Sequence, residues 1–96
     1  MGQMVWKFKI DLFRDDWQSI EMAEGTYPLM VAMQDHNLCM WAAFDEAALK
    51  DEKVMQEYIV TGTGFRVPDG AEHVGSVMSG TFVWHVWRKR GLEVAA

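Results

Sequence analysis

The run Thr61-Gly62-Thr63-Gly64-Phe65-Arg66 carries the clearest binding chemistry in the chain. Glycines let backbone N–H groups turn into a concave anion-binding nest, threonine hydroxyls add donors, and the planar guanidinium of Arg66 matches a phosphate. The run is not a P-loop, because the Lys-Ser/Thr pair and the following helix are missing. Nor is it the dinucleotide fingerprint, which needs a third glycine ahead of a helix. The simpler reading stands beside it: a strand end whose positive backbone angles only glycine takes without strain.

Tryptophan is the second signal, with five among 96 residues. In the run Thr81 to Arg88, strand alternation puts Trp84 and Trp87 on opposite faces. A tryptophan left outside the core marks an interface or a platform on which a base stacks. Trp41 shares a face with Cys39 and Ala43, opposite Met40 and Phe44. Arg88 or Arg90 of a neighbouring copy could close a phosphate site, and eight methionines add adaptable apolar surface suited to an interface. The candidate ligand residues are therefore Thr61, Gly62, Thr63, Gly64, Arg66, Trp41, Trp84, Trp87 and Arg88. For each tryptophan the competing reading is plain core packing.

Signatures of catalysis are missing. His36 falls in a turn, His73 enters a hairpin, and His85 lies among apolar residues, where it reads as a satisfied core histidine. No two histidines stand at metal-ligand spacing, and Cys39 has no second cysteine, so no metal or other cofactor is expected. Cys39, inside an apolar run, reads as a small buried hydrophobe. No serine sits in a nucleophile elbow, and no carboxylate pair is marked as an acid/base couple. The expectation is a protein that is not an enzyme.

Composition narrows the class. Half of the residues are hydrophobic, which excludes a disordered chain, and 96 residues suit a single domain over 1–96. No apolar run approaches the ~20 residues of a membrane span, and no signal peptide opens the chain, so no membrane partner is expected. One cysteine suits a reducing cytoplasm. A net charge of −5 disfavours general binding to nucleic acid backbones. Acidic residues gather between Asp45 and Glu57, whereas Arg88, Lys89 and Arg90 are clustered late in the chain.

The elements that position these residues read as strands. Met4, Trp6, Phe8, Ile10 and Leu12 alternate with Lys7, Lys9 and Asp11, the pattern of a half-exposed strand. A loop over Phe13 to Trp17 leads to a short strand from Gln18 to Met22, and Glu24-Gly25-Thr26 is a turn. Pro28 suits an edge strand or a strand start. Leu29–Gln34 and Leu38–Phe44 read as a hairpin about Asp35-His36-Asn37, with Asn37 left-handed. Ala47 to Lys53 is the best helix, short enough to be a single turn. Val54–Thr61 is a strand, and Pro68-Asp69-Gly70 a turn. Val74–Met78 and Thr81–Arg88 pair about Ser79-Gly80, and the last run, apolar on both faces, reads as a covered central strand. Residues 1–3 and 90–96 read as flexible ends. The fold class is mainly β: a small antiparallel β-sandwich or partly open barrel of about six or seven short strands, with at most one short helix.

Val5-Trp6-Lys7-Phe8, Asn37-Leu38-Cys39-Met40-Trp41-Ala42, Ile59-Val60-Thr61-Gly62-Thr63-Gly64, Pro68-Asp69, Val74-Gly75-Ser76-Val77 and Phe82-Val83-Trp84-His85-Val86-Trp87 follow one another in an order that resembles a family of small bacteriophage- and prophage-encoded proteins, a domain of unknown function. The resemblance spans nearly the whole chain. It implies a phage origin and a host-cytoplasmic setting, and it implies no activity. Relatives carry a histidine after the Gly-Thr-Gly where this chain has Phe65, so chemistry resting on that histidine is lost here.

Together these signals point to a phage-encoded binding protein that counteracts host antiviral defence. The leading form is a homo-oligomer that sequesters a small anionic signalling nucleotide. The alternatives are an inhibitor that presents its acidic strip to a host defence protein such as a CRISPR effector, a virion or lysogeny accessory protein, and a small hydrolase of such a nucleotide.

Overall fold

The computed structural model describes residues 2–90. Seven strands form two antiparallel sheets that pack face to face. They are β1 (Gln3–Ile10), β2 (Gln18–Met22), β3 (Tyr27–Gln34), β4 (Asn37–Asp45), β5 (Val54–Gly62), β6 (Ala71–Ser79) and β7 (Phe82–Lys89). The first sheet has the order β1-β4-β3 and the second β2-β5-β7-β6. The expected β-sandwich is the observed architecture, and the sheets do not close into a barrel. The one helical segment among the described residues is a 3-10 turn, Glu46–Lys50, shorter than the Ala47–Lys53 expected; Asp45 caps it by accepting from the Ala47 N–H. No helix among the described residues is long and apolar enough to cross a membrane.

Alternation decides which side chains meet between the sheets. Ile10 pairs with Leu38, Phe8 with Met40 and Trp6 with Ala42, so these six face inward from the first sheet. Tyr58, Val60, Trp84, Val86 and Val77 face them from the second. Ile10, Met22, Leu38, Met40, Tyr58 and Val86 are fully buried. Each such aliphatic side chain contributes about 1.5–3 kcal/mol relative to exposure, which is what holds two sheets this small together. The central strand β4 is buried on both faces, because its outward residues Cys39 and Ala43 are small and flanked by longer neighbours. Lys7 reaches across that outer face from β1 to bond Gln34 on β3 at 2.7 Å.

Two turns sit one residue away from where the sequence places them. Asn37 is paired with Gln34, and the left-handed residues of the β3–β4 hairpin are Asp35 (φ 51°) and His36 (φ 67°). Positive φ at both positions makes a type I′ turn, whose twist matches the strands it joins. In the β6–β7 hairpin, Ser79 pairs with Phe82, leaving Gly80-Thr81 as the corner with positive φ at Gly80. At the two ends of the described residues, the Glu46 N–H donates to the Gly2 carbonyl at 3.0 Å and the Arg90 N–H to the Gly70 carbonyl at 2.8 Å. Residue 1 and residues 91–96 of the expected flexible ends lie outside the described residues.

Strand β7 does take a central place, between β5 and β6. Its outer face is not covered by a further layer among the described residues, and His85 and Trp87 on that face are only half-buried. The expectation that both faces of the run are covered is corrected there, and the uncovered face is where polar and aromatic side chains gather.

Candidate functional site

His85 and Trp87 alternate outward from β7, and Thr61 does the same from β5, opposite His85. Strand β6 supplies two more outward groups, His73 and Ser76. Three positions apart, they would fall on opposite faces of a regular strand. A bulge between His73 and Gly75 inserts one residue, so His73 pairs with Trp87 while Ser76 pairs with His85. Both therefore emerge on the same face. Beyond the end of β5, the Phe65 N–H donates to the Gly62 carbonyl at 3.2 Å, closing a turn with Gly64 at φ +95°. A positive angle at the third turn residue is the type II pattern and explains the glycine. The turn brings Thr63 over His85.

The result is a row of four side chains. Thr63 Oγ1 lies 2.9 Å from His85 Nε2, His85 Nδ1 lies 2.7 Å from Ser76 Oγ, and Ser76 Oγ lies 3.0 Å from His73 Nε2. Each hydroxyl holds one proton, so the row must run in one direction. In one sense His73 donates to Ser76, Ser76 to His85, His85 to Thr63, and Thr63 to the Val83 carbonyl at 3.5 Å. In the other, Thr63 donates to His85 and the proton on each later group points towards His73. Both senses give every proton within the row an acceptor; the first also directs the Thr63 proton to the Val83 carbonyl.

Trp87 lies alongside. Its Nε1–H donates to Thr61 Oγ1 at 3.0 Å, and the His73 ring meets it edge-on, 5.0 Å between centroids. Trp87, His73, Ser76, His85 and the 61–65 turn line an open groove of about 490 Å³. Phe65, 71% exposed, stands at its border. On the other side of Phe65 and Thr63 is a second cleft of about 510 Å³ that also touches Phe82 and Trp84, whose rings stack at 5.6 Å. Gly62 sits between the two: a β-carbon there would stand 3.3 Å from Trp84 and 3.4 Å from Phe65, tighter than ordinary packing.

Of the residues singled out in the sequence, Thr61, Gly62, Thr63, Gly64 and Trp87 meet in the groove. Trp84 faces the opposite side of the sheet and borders only the second cleft. Arg66 is exposed beside Asp15, Ile59 and Pro68, sharing Thr61 and Phe65 with the groove but outside it. Arg88 faces inward and holds Glu72 through Nε at 3.2 Å and Nη2 at 2.9 Å, which keeps the Glu72 carboxyl below its usual range. Trp41 lies on the outer face of the other sheet. Sequence reasoning missed Phe65, His73, Ser76 and His85; the one available signal was Gly75 inside a strand pattern, which marks a bulge. Among the described residues no group of three or more His, Cys, Asp or Glu is placed to hold a metal ion.

The model of the family described as Domain of unknown function (DUF7352) matches residues 1–95. This chain belongs to that family. No curated protein and no solved structure matches it. For this DUF7352 member the chemistry must therefore be read from its own side chains: an aromatic-walled groove lined by no Asp, Glu, Lys or Arg and rich in groups that both donate and accept.

Proposed function

We propose that this protein is a small ligand-binding protein and that its ligand is of the nucleotide class, held in the groove on the outer face of the second sheet. The observation that carries the reading is the row Thr63–His85–Ser76–His73 running along an aromatic groove. Hydroxyls and imidazoles can match either donors or acceptors on the edge of a heterocycle or on a ribose, while Trp87 and Phe65 offer ring faces. The volume lies within the usual range for small-molecule sites. A phosphate extending past Phe65 would come under Arg66. In the setting that the phage resemblance implies, capture would serve to sequester a signalling nucleotide of host defence in the host cytoplasm. A homo-oligomer fits this reading, since none of the five tryptophans is fully buried in one copy.

Isothermal titration against cyclic nucleotides, nucleoside monophosphates and ADP-ribose derivatives tests the proposal, with native mass spectrometry reporting the assembly. Binding by at least one compound, weakened roughly tenfold or more (~1.4 kcal/mol) by Trp87→Leu, is expected. Heat-free traces across the panel would remove it. A second reading, an inhibitor of a basic host protein, is favoured by the exposed Glu46, Asp51 and Glu52 around the 3-10 turn. Salt-sensitive co-purification of a host protein that survives reversal of those three charges would count against it.

A further inference from the structure

We infer that Ser76 is an activated nucleophile and that the outer groove transfers acyl groups from small esters through a Ser76–His85–Thr63 relay. The signature of such a centre is a hydroxyl in hydrogen-bond reach of a base that a third group orients. Here Ser76 Oγ lies 2.7 Å from His85 Nδ1, and His85 Nε2 lies 2.9 Å from Thr63 Oγ1. A fourth group sets the direction of the hydroxyl. With His73 Nε2 as the donor to Ser76 Oγ at 3.0 Å, the single serine proton points at His85 Nδ1, 2.7 Å away. Ser76 is exposed and His85 half-buried, so the nucleophile is open to a substrate while its base is held in place. The β6 bulge that puts His73 and Ser76 on one face otherwise costs ladder pairing, and the geometry it creates is this one.

The chemistry balances without a co-reactant other than water. Ser76 Oγ forms a bond to the ester carbonyl carbon as its proton passes to His85 Nδ1. The ester C–O bond breaks, its electron pair goes to the leaving oxygen, and that oxygen takes the proton from His85. Water then adds to the acyl carbon and gives a proton to His85. The bond from Oγ to carbon breaks, Oγ recovers the proton, and a carboxylic acid leaves. Ser76 and His85 are the catalytic residues; Thr63 and His73 are positioning residues. The inference stands apart from nucleotide binding, since it concerns the reactivity of one hydroxyl.

A fluorophosphonate probe tests it on the intact protein. Displacement of fluoride would leave one phosphonyl group on the protein, located by peptide mass spectrometry. Ser19 and Ser79 are internal controls. Expected are selective labelling of Ser76, at least tenfold faster than either control, and turnover of a p-nitrophenyl ester. Ser76→Ala should abolish both, and His85→Gln should slow labelling roughly a hundredfold with the melting temperature little changed. Thr63→Val should slow it and Thr63→Ser restore it, which a purely structural role would not produce. No adduct, an adduct spread over the three serines, or an unchanged rate in His85→Gln overturns the inference. Nucleotide binding by calorimetry in a chain that is not labelled would leave the capture reading standing and this one refuted.

Discussion

Gly75 lies against Val31 where the two sheets close on each other: a β-carbon at position 75 would stand 2.7 Å from Val31 Cγ2. This contact joins the edge strand of one sheet to the bulged edge strand of the other. Gly75 is also the residue that ends the bulge and hands the register on to Ser76. The close approach of the sheets therefore depends on a missing side chain next to the residue that stands opposite His85.

Gly75→Ala is expected to destabilise the fold by about 1–3 kcal/mol, because the branched Val31 has little rotamer freedom with which to yield. Val31→Ala in the same chain should recover much of the loss. The thermal midpoints of the four proteins in this double-mutant cycle measure the coupling, and strict additivity would mean the two residues do not touch.

Why the site escaped the sequence follows from the same bulge. Strands were legible because of the alternation in Met4–Leu12 and the strong β formers Tyr58-Ile59-Val60. Turns were legible to within one residue because Gly25, Gly70 and Gly80 mark corners. The bulge leaves one mark in the sequence, Gly75 inside a strand run, and that mark does not say where the extra residue falls; by regular alternation His73 and Ser76 part company. The β6–β7 hairpin was legible from Ser79-Gly80, but the pairing of β7 with β5 cannot be read from local pattern, and it takes that pairing and the bulged register together to bring Ser76, His85 and Thr63 into one row. Trp84 and Trp87 were separable by alternation alone, but which of them faced the core depended on the layer opposite.

The type I′ turn at Asp35-His36 is strained for both of its residues. A left-handed side-chain-bearing residue costs about 1–2 kcal/mol, and glycine escapes most of it while losing more chain entropy on folding. His36→Gly should therefore stabilise the protein by about 0.5–1 kcal/mol, and His36→Val should destabilise it by about 1–2 kcal/mol. Denaturant midpoints at unchanged slope provide the measurement. Equal stability of the two variants would contradict positive φ at His36.

Tyr58 predicts an alkaline transition. Its side chain is fully buried, with the hydroxyl 3.7 Å from Met22 Sδ, and burial pushes its pKa up to about 12 against the opposing pull of Arg88. A folded pKa above the unfolded value means stability that is complete below pH ~10 and is lost as pH rises towards about 12. The loss approaches about 1.4 kcal/mol per pH unit in that window. Tyr58→Phe removes this component. Denaturant titrations of both proteins between pH 9 and 12, a range set by the roughly 10 of a free tyrosine, should show a steeper decline in the wild type. Parallel curves would mean that Tyr58 does not ionise on unfolding.

Arg88 separates a site within one copy from a site shared between copies. It is engaged with Glu72 on the inward side of β7, away from the groove. The Glu72 carboxyl, held low first by the hydrogen bond and then by the charge of Arg88, gives stability that is present above the ordinary carboxyl range and is lost as pH falls through its lowered folded value. Because Glu72 is nearly half exposed, the pair contributes under about 1 kcal/mol. Arg88→Ala should therefore cost little stability at neutral pH, and the difference from wild type should shrink in acid. Its effect on ligand binding is the sharper readout. With Arg88 turned inward, nucleotide affinity should stay within about twofold, well under the 1.4 kcal/mol that a tenfold change represents. A tenfold loss would mean that Arg88 of a neighbouring copy reaches the ligand, which would make the groove incomplete in a single chain.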